Sequence, residues 1–340
     1  MFFLDLHMTM ITLSDAGSHD QSWQWHLQHA IRSIPALASH LGTQLNDVDQ
    51  DFPLLAPRPY LDRIVSGDVF DPLLLQILPR SQENGSEPLY LRDPLQEGNL
   101  ITPTRGLIQK YHGRALVITT GACAINCRYC FRRHFPYGES NPSSSDWTGI
   151  YRHLARDTSL SEIILSGGDP LILSDRQLSD ITTKLDSIET IDTIRLHTRL
   201  PIVIPQRICP ELLDWVSRCH KKVVFVLHTN HHSEIDDQVV DAVSALRDAG
   251  ATLLNQSVLL RDVNNSSEVL VKLSRKLFDA GVLPYYLHLL DSVAGAHHFD
   301  VPELEGVNLI QQMSSQLPGY LVPKLARESP GADAKQVISG

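Results

Sequence analysis

The chain has 340 residues, with 29 Lys plus Arg against 39 Asp plus Glu, a formal net charge of −10, 42% hydrophobic and 20% charged residues. This is a globular composition with chain enough for a large core, so disorder is excluded as the main state, and the acidic balance argues against general nucleic-acid binding, which needs a basic surface to neutralise phosphate. No apolar run approaches the ~20 residues of a membrane helix, Met1–His7 lacks the basic start of a secretory leader, and the odd count of 5 cysteines suits a reducing cytoplasm better than a disulfide scaffold.

Residues 1–105 read as a mostly helical extension. Apolar positions recur at helical spacing from Trp23 to Leu37, and Asp71-Pro72-Leu73 and Asp93-Pro94-Leu95 are turn or helix-start signals. From Ala115 onward β-rich runs appear at Ala115–Thr119, Glu162–Leu165, Thr193–His197, Val223–Leu227, Thr252–Asn255 and Tyr285–Leu289, their starts 29 to 47 residues apart. Helical stretches lie between them, at Asp175–Ile188, Glu211–Cys219, Gln238–Ala249 and Glu268–Ala280. Strand and helix alternating in this way is the pattern of parallel βαβ units, and near-continuous apolar strands such as Val223–Leu227 suit a sheet covered on both faces. The expected fold is α/β, with six units over residues 106–292 favouring a partial (β/α)6 barrel, a doubly wound sheet as the alternative, and a C-terminal segment over 293–340.

In parallel α/β folds the chemistry gathers at the carboxyl ends of the strands. Those ends carry Cys123, the Ser166-Gly167-Gly168-Asp169 turn, His197-Thr198-Arg199, His228-Thr229-Asn230, Gln256 and Asp291. Cys123, Cys127 and Cys130 fall within eight residues. A loop with that spacing can wrap three corners of an iron–sulfur cube, since soft thiolates select such clusters or zinc. Cys209 and Cys219 lie far along, beside expected helices. The alternative is a non-catalytic zinc-binding protein, with His134 completing a four-ligand set.

The Cys-x3-Cys-x2-Cys run after the first strand, with Tyr129 before the last cysteine and a glycine turn after the second strand, resembles the radical S-adenosylmethionine superfamily. Further segments narrow the likeness: Gly106–Arg114, Cys127–Arg133, Asn255–Arg261, and Pro284-Tyr285-Tyr286 followed by Asp291 are similar to the lysine 2,3-aminomutase family, from about Asp93 to Lys335. Phe131–Tyr137 and Gly319–Glu328 resemble the bacterial branch that makes β-lysine for modifying elongation factor P.

The resemblance implies a 4Fe–4S cluster on Cys123, Cys127 and Cys130, with S-adenosylmethionine on its open iron. Ser166, Gly167, Gly168, Asp169, His228, Asn230 and Gln256 would serve that cofactor. It also implies pyridoxal 5′-phosphate, held as an imine on Lys335, with Lys324 as runner-up and Arg114 and Lys110 toward the phosphate. Gly319-Tyr320 leads to Glu328, Pro330, Gly331 and Lys335 without a gap, although the family's glycine stretch is mostly lost here and Gln336-Val337 replaces the usual Thr-Pro. Arg132 takes the family's carboxylate-binding position, and Asp291 and Glu328 its two acids for a distant ammonium. Two acids favour L-lysine over glutamate; arginine is the other alternative substrate. The implied reaction is (S)-α-lysine to (R)-β-lysine. Implied partners are an electron donor such as a flavodoxin or ferredoxin and, downstream, the enzyme that transfers β-lysine to elongation factor P. A homo-oligomer is a further expectation, and neither nucleic acid nor membrane is expected as a partner.

Overall fold

A computed structural model describes residues 22–338 apart from 50, 86, 101, 103 and 141; Met1–His7 and the rest of the first 21 residues lie outside the described residues. Nine strands form one sheet in chain order: β1 (Leu107–Ile108), β2 (Arg114–Thr120), β3 (Glu162–Gly167), β4 (Thr193–Thr198), β5 (Lys222–His228), β6 (Thr252–Val258), β7 (Leu283–His288), β8 (Lys324–Arg327) and β9 (Gln336–Val337). β2 through β8 pair in parallel, while β1 and β9 pair antiparallel at the two edges. All six expected strands are present. The count of six is corrected to seven parallel strands, because β8 joins them. At 4 residues, beginning with an exposed lysine, β8 has too little apolar pattern to be read from sequence.

The crossover helices start where their caps dictate. Ser174 caps Asp175–Asp186 in a reciprocal box with Gln177, Asp236 caps Asp237–Asp248, and Ser266 caps Ser267–Asp279. Their apolar faces pack on the strands: Leu178, Ile181 and Leu185, with Val239, Val243 and Leu246, share one core with Ile163, Leu165, Ile194, Leu196, Phe225 and Leu227. Trp23, Leu37, Leu54, Tyr60, Leu73 and Ile77 join the same core, so the N-terminal extension packs onto the sheet. It is less helical than expected. The Trp23–Leu37 stretch breaks into Trp23–Gln28 and Ile34–Leu41, with Ile31 bridging to Ala56 between them. Later helices there are single turns opened by prolines, Arg58–Leu61 and Pro72–Leu75, the second capped by Asp71.

The sheet does not lie flat. Lys110 follows β1 and Glu328 follows β8, seven strand spacings away. A flat sheet would hold these strands roughly 34 Å apart, at about 4.8 Å per spacing. Yet Lys110 Nζ lies 2.6 Å from a Glu328 carboxylate oxygen, so the sheet curls until its two sides meet.

The exits of β2 and β3 are locked together. Gly168 N–H donates to Thr120 O at 2.7 Å and Asp169 N–H to Ala122 O at 2.9 Å. Gly167 has φ +125°, and a Cβ at Gly168 would stand 2.1 Å from Ala122 O. This approach requires glycine. Gly168→Ala should cost about 1–3 kcal/mol through forced displacement of backbone, read by urea unfolding, whereas Gly138→Ala, within the helical turn Tyr137–Ser140 where a Cβ meets nothing within 4 Å, should cost nothing and raise stability by up to about 1 kcal/mol.

Candidate active site

The loop after β2 carries all three clustered thiols. The Cys127 sulfur accepts a hydrogen bond from Arg199 Nη1 at 2.7 Å. Burial, then Cys130, Asp169 and Cys127, push the Cys123 thiol up, and burial and Cys127 push Cys130 up to about 11. Burial and the neighbouring thiols disfavour the thiolates of Cys123 and Cys130, the condition that a bound cationic centre relieves. Among the described residues no three His, Cys, Asp or Glu side chains converge on a point that would chelate one metal ion. His134, the fourth ligand of the zinc alternative, instead pairs through Nε2 with Ala294 O at 3.1 Å. Cys209 and Cys219 lie elsewhere, against Asp175 and Asp186.

The turn after β3 sits beside this loop. Asp169 is fully engaged by protein: it accepts from Leu171 N, Thr198 Oγ1, Arg199 N and Leu200 N at 2.7–3.0 Å. It therefore ties the β3 and β4 exits together. Asn230 is equally committed, to Gln76, Tyr129 and the N–H of Val258. His228 bridges Tyr129 OH at 2.8 Å and Gln256 O at 3.0 Å, and burial with the nearby Arg199 lowers it to about 4, so it is neutral. Ser166 stands near the end of β3 and Gln256 near the end of β6, with β4 and β5 between them, and Ser166 Oγ accepts from Arg132 Nη1 at 3.2 Å.

Arg132 is buried, and one edge of its guanidinium is already paired: Nε and Nη2 donate to the two oxygens of Glu97 at 2.7 and 2.8 Å. Phe131 and Phe135 flank the guanidinium at 4.9 and 5.8 Å. The far Nη edge faces Ser166 and Gly167. Glu97 was missed from sequence; its partner is 35 residues away, and only the Asp93–Glu97 turn hints at a fixed position.

Inside the curl lies a second charged group. Register pairs Ala326 with Val337 and Arg327 with Gln336, so the next step of the β8–β9 hairpin sets Glu328 opposite Lys335. Lys335 Nζ meets one Glu328 oxygen at 2.9 Å, and Lys110 Nζ meets the other at 2.6 Å. Lys335 Nζ also contacts His288 Nε2 at 3.2 Å and stands 5.1 Å from the centre of the Tyr286 ring. Lys324, the runner-up lysine, is exposed at the start of β8. Arg327, the cation next to Glu328 in sequence, pairs with Glu303 rather than with Glu328.

Burial would raise Glu328, but Lys335 and Lys110 hold it well below the usual carboxylate range. Burial would lower Lys110, yet Glu328 lifts it. Asp291 lies three residues beyond the end of β7. Burial and the Glu328 charge push it up to about 7, against Lys335 and Lys110. His288 is lowered to about 3 by burial and Lys335. Arg114 stands over the Tyr111 ring, and Arg195 on β4 feels both Arg114 and Tyr286. Arg195 Nη2 donates to Glu162 at 2.9 Å, while among the described residues Arg195 Nε and His197 Nε2 are buried without a partner. Arg195 was passed over in sequence, although a guanidinium inside an apolar strand was a signal.

No family model matches the chain. Over 284 residues it is 46% identical to the L-lysine 2,3-aminomutase of Escherichia coli (strain K12), covering 84% of this chain and 82% of that one. Over 330 residues it is 41% identical to the L-lysine 2,3-aminomutase of Buchnera aphidicola, covering 95% and 96%. The chain belongs to the L-lysine 2,3-aminomutase family. This aminomutase is an isomerase, which overturns the non-catalytic alternative. Among solved structures, a radical SAM methyltransferase from Sphaerobacter thermophilus superposes with a TM-score of 0.45 at 17% identity over 65% of this chain and 68% of that one.

The electrostatics of this aminomutase make Asp291 titrate within reach. Its folded value of about 7 lies above the ~4 of an unfolded aspartate, so between these values the folded state holds the extra proton. Stability from Asp291 is complete below about pH 4 and is lost as pH rises to 7, at up to roughly 1.4 kcal/mol per unit. Urea unfolding at pH 5 and 7.5 should show Asp291→Asn gaining about 2 kcal/mol on wild type over that interval; parallel curves would contradict the assignment.

Proposed function

We propose that this aminomutase acts on L-lysine, moving the amino group from Cα to Cβ to give (R)-β-lysine, which a separate transfer enzyme places on elongation factor P. The observation that carries the substrate is the pair of acids, Asp291 and Glu328, which feel each other's charge beside Lys335. With the Lys335 nitrogen engaged by pyridoxal phosphate, Glu328 would lose one of its two ammonium partners, so a cationic side chain entering there would meet that acid and an Asp291 that it helps to ionise, while the side chain of glutamate would be repelled. Arg132, held on one edge by Glu97, has on its other edge only the longer Nη1 contacts to Ser166 Oγ and Gly167 O, which a substrate carboxylate would displace to be bound by the guanidinium in a fixed orientation.

Three cofactors fit the residues. Cys123, Cys127 and Cys130 would hold a 4Fe–4S cluster, and Ser166, Gly167, Gly168, His228 and Gln256 would line the S-adenosylmethionine beside it, with Asp169 and Asn230 fixing the loops. Lys335 would hold pyridoxal 5′-phosphate. Arg114 and Arg195 would face its phosphate, where the unpartnered Arg195 Nε calls for an acceptor, and Lys110 would stay near Glu328. Together these groups supply hydrogen-atom abstraction at an unactivated carbon and a π-system to carry the migrating nitrogen.

The chain's own part is placement of charge. Glu328 keeps Lys335 within 2.9 Å, and His288, neutral from burial, can accept a hydrogen bond from Lys335 Nζ at 3.2 Å. Asp291, near neutrality without a cation, ionises when an ammonium arrives. The proposed organisation has an N-terminal extension over 1–105, a partial barrel over 106–292 supported by the curl of the sheet, and a C-terminal segment over 293–340 carrying Lys335. Among the described residues no helix is long and apolar enough to cross a membrane; a cytoplasmic location, a flavodoxin or ferredoxin donor and a homo-oligomer complete the proposal.

An anaerobic incubation tests it. Protein reconstituted with iron and sulfide receives S-adenosylmethionine, pyridoxal phosphate, reductant and L-lysine, with arginine as a parallel substrate. The expected products are 5′-deoxyadenosine and β-lysine. Asp291→Asn and Glu328→Gln should each lower kcat/KM for lysine roughly 30-fold or more, the loss of one buried charge partner at about 2 kcal/mol. Unchanged lysine turnover in both variants would refute the substrate argument.

A further inference from the structure

Arg199, just past β4, is buried and reaches the cysteine loop. Its Nη1 donates to Cys127 Sγ and to Tyr129 OH, both at 2.7 Å. Its Nη2 donates to Gln76 Oε1 at 2.7 Å and to Glu234 Oε2 at 2.8 Å. Glu234 is fully buried, and its other oxygen accepts from the backbone N–H of Asn230 and His231 at 2.9 and 3.0 Å and from Gln76 Nε2 at 3.2 Å. A fixed positive charge thus touches one cysteine sulfur, with a fixed negative charge directly behind it. Among the described residues, Cys127 alone of the three clustered cysteines has its sulfur bonded by a charged side chain.

A thiolate cluster gains one negative charge on reduction. Hydrogen bonds and cations at its sulfurs favour that state, the more so away from water, where charges are screened little. We propose that the Arg199–Glu234 pair tunes the reduction potential of the cluster held by Cys123, Cys127 and Cys130. Arg199 makes the cluster easier to reduce, and Glu234 offsets part of that effect. The inference rests on the cluster reading above. The step concerned is transfer of one electron from an external flavin or iron–sulfur donor protein to the cluster, with no bond made or broken. Arg199 and Glu234 are positioning residues, since neither reaches substrate.

The alternative is that the pair only knits the loops together, since its bonds join the extension at Gln76, the cysteine loop and the β4 and β5 exits. A purely structural role would shift both variants in one direction or in none. The electrostatic role shifts them in opposite directions.

The experiment is an anaerobic redox titration of the reconstituted full-length protein, followed by electron paramagnetic resonance, with iron and sulfide measured per chain. Arg199→Met should lower the midpoint potential, giving about a tenfold smaller reduced-to-oxidised ratio at a fixed potential, or about 59 mV for one electron. Glu234→Gln should raise it. Arg199→Lys, which keeps the charge, should stay near wild type. If Arg199→Met does not fold, the similarly shaped Glu234→Gln carries the test alone. A Glu234→Gln protein with its cluster bound and its potential unmoved or lowered would overturn the inference while leaving the cluster reading intact. A wild-type protein that binds no cluster would overturn both.

Discussion

The carboxylate of Glu328 stands between two lysines, and the site depends on that arrangement. One oxygen meets Lys335 at 2.9 Å and the other meets Lys110 at 2.6 Å. These three groups come from the hairpin that ends the sheet and from the segment that begins it. Their contact joins the sides of the curled sheet and gathers charge where they meet. A buried ion pair is weak evidence for stability, because desolvation consumes much of the attraction. Its value here is positional. The hairpin brings the lysine in, and the acid fixes where its nitrogen lies. The loss of the family's glycine stretch does not prevent this, since Gly331, at φ +73°, turns the hairpin alone.

The opposite wall is built on the same principle with longer reach. Glu97 fixes Arg132, Glu83 fixes Arg128 and Arg133, and Glu234 fixes Arg199. Each acid comes from a segment remote in sequence from its arginine. Three of the four arginines follow Cys127 within six residues, so the extension carrying Glu83 and Glu97 holds the cysteine loop in shape as well as covering the sheet. The glycine turn after β3 adds a backbone lock that tolerates no side chain. The cysteine loop is thereby fixed by ion pairs on one side and by peptide groups on the other.

Much of this was legible in the sequence, and the parts that were not share a cause. The alternation of apolar strands and capped helices gave six strands and four helices nearly to the residue, because period and caps are local signals. The strand ends then pointed to Cys123, Ser166, His228 and Gln256. Glu328 and Lys335 came from resemblance, and the hairpin register brings them face to face. Glu97 and Glu234 were missed because an acid's partner across 35 residues leaves no local trace. Arg195 left one, a cation within an apolar strand, but its meaning needs Arg114 beside it. β8 and β9 are too short to carry a pattern. The extension misled because its apolar spacing is real, while its prolines cut the helices to single turns.

The central claim is that Lys335 is the residue prepared to carry pyridoxal phosphate. The most direct measurement is borohydride reduction of the full-length protein after incubation with pyridoxal phosphate, followed by peptide mass spectrometry. The account expects one reduced adduct per chain, on Lys335, with Lys110 unmodified in its ion pair. An adduct on Lys110 or Lys324, with Lys335 untouched, would contradict it.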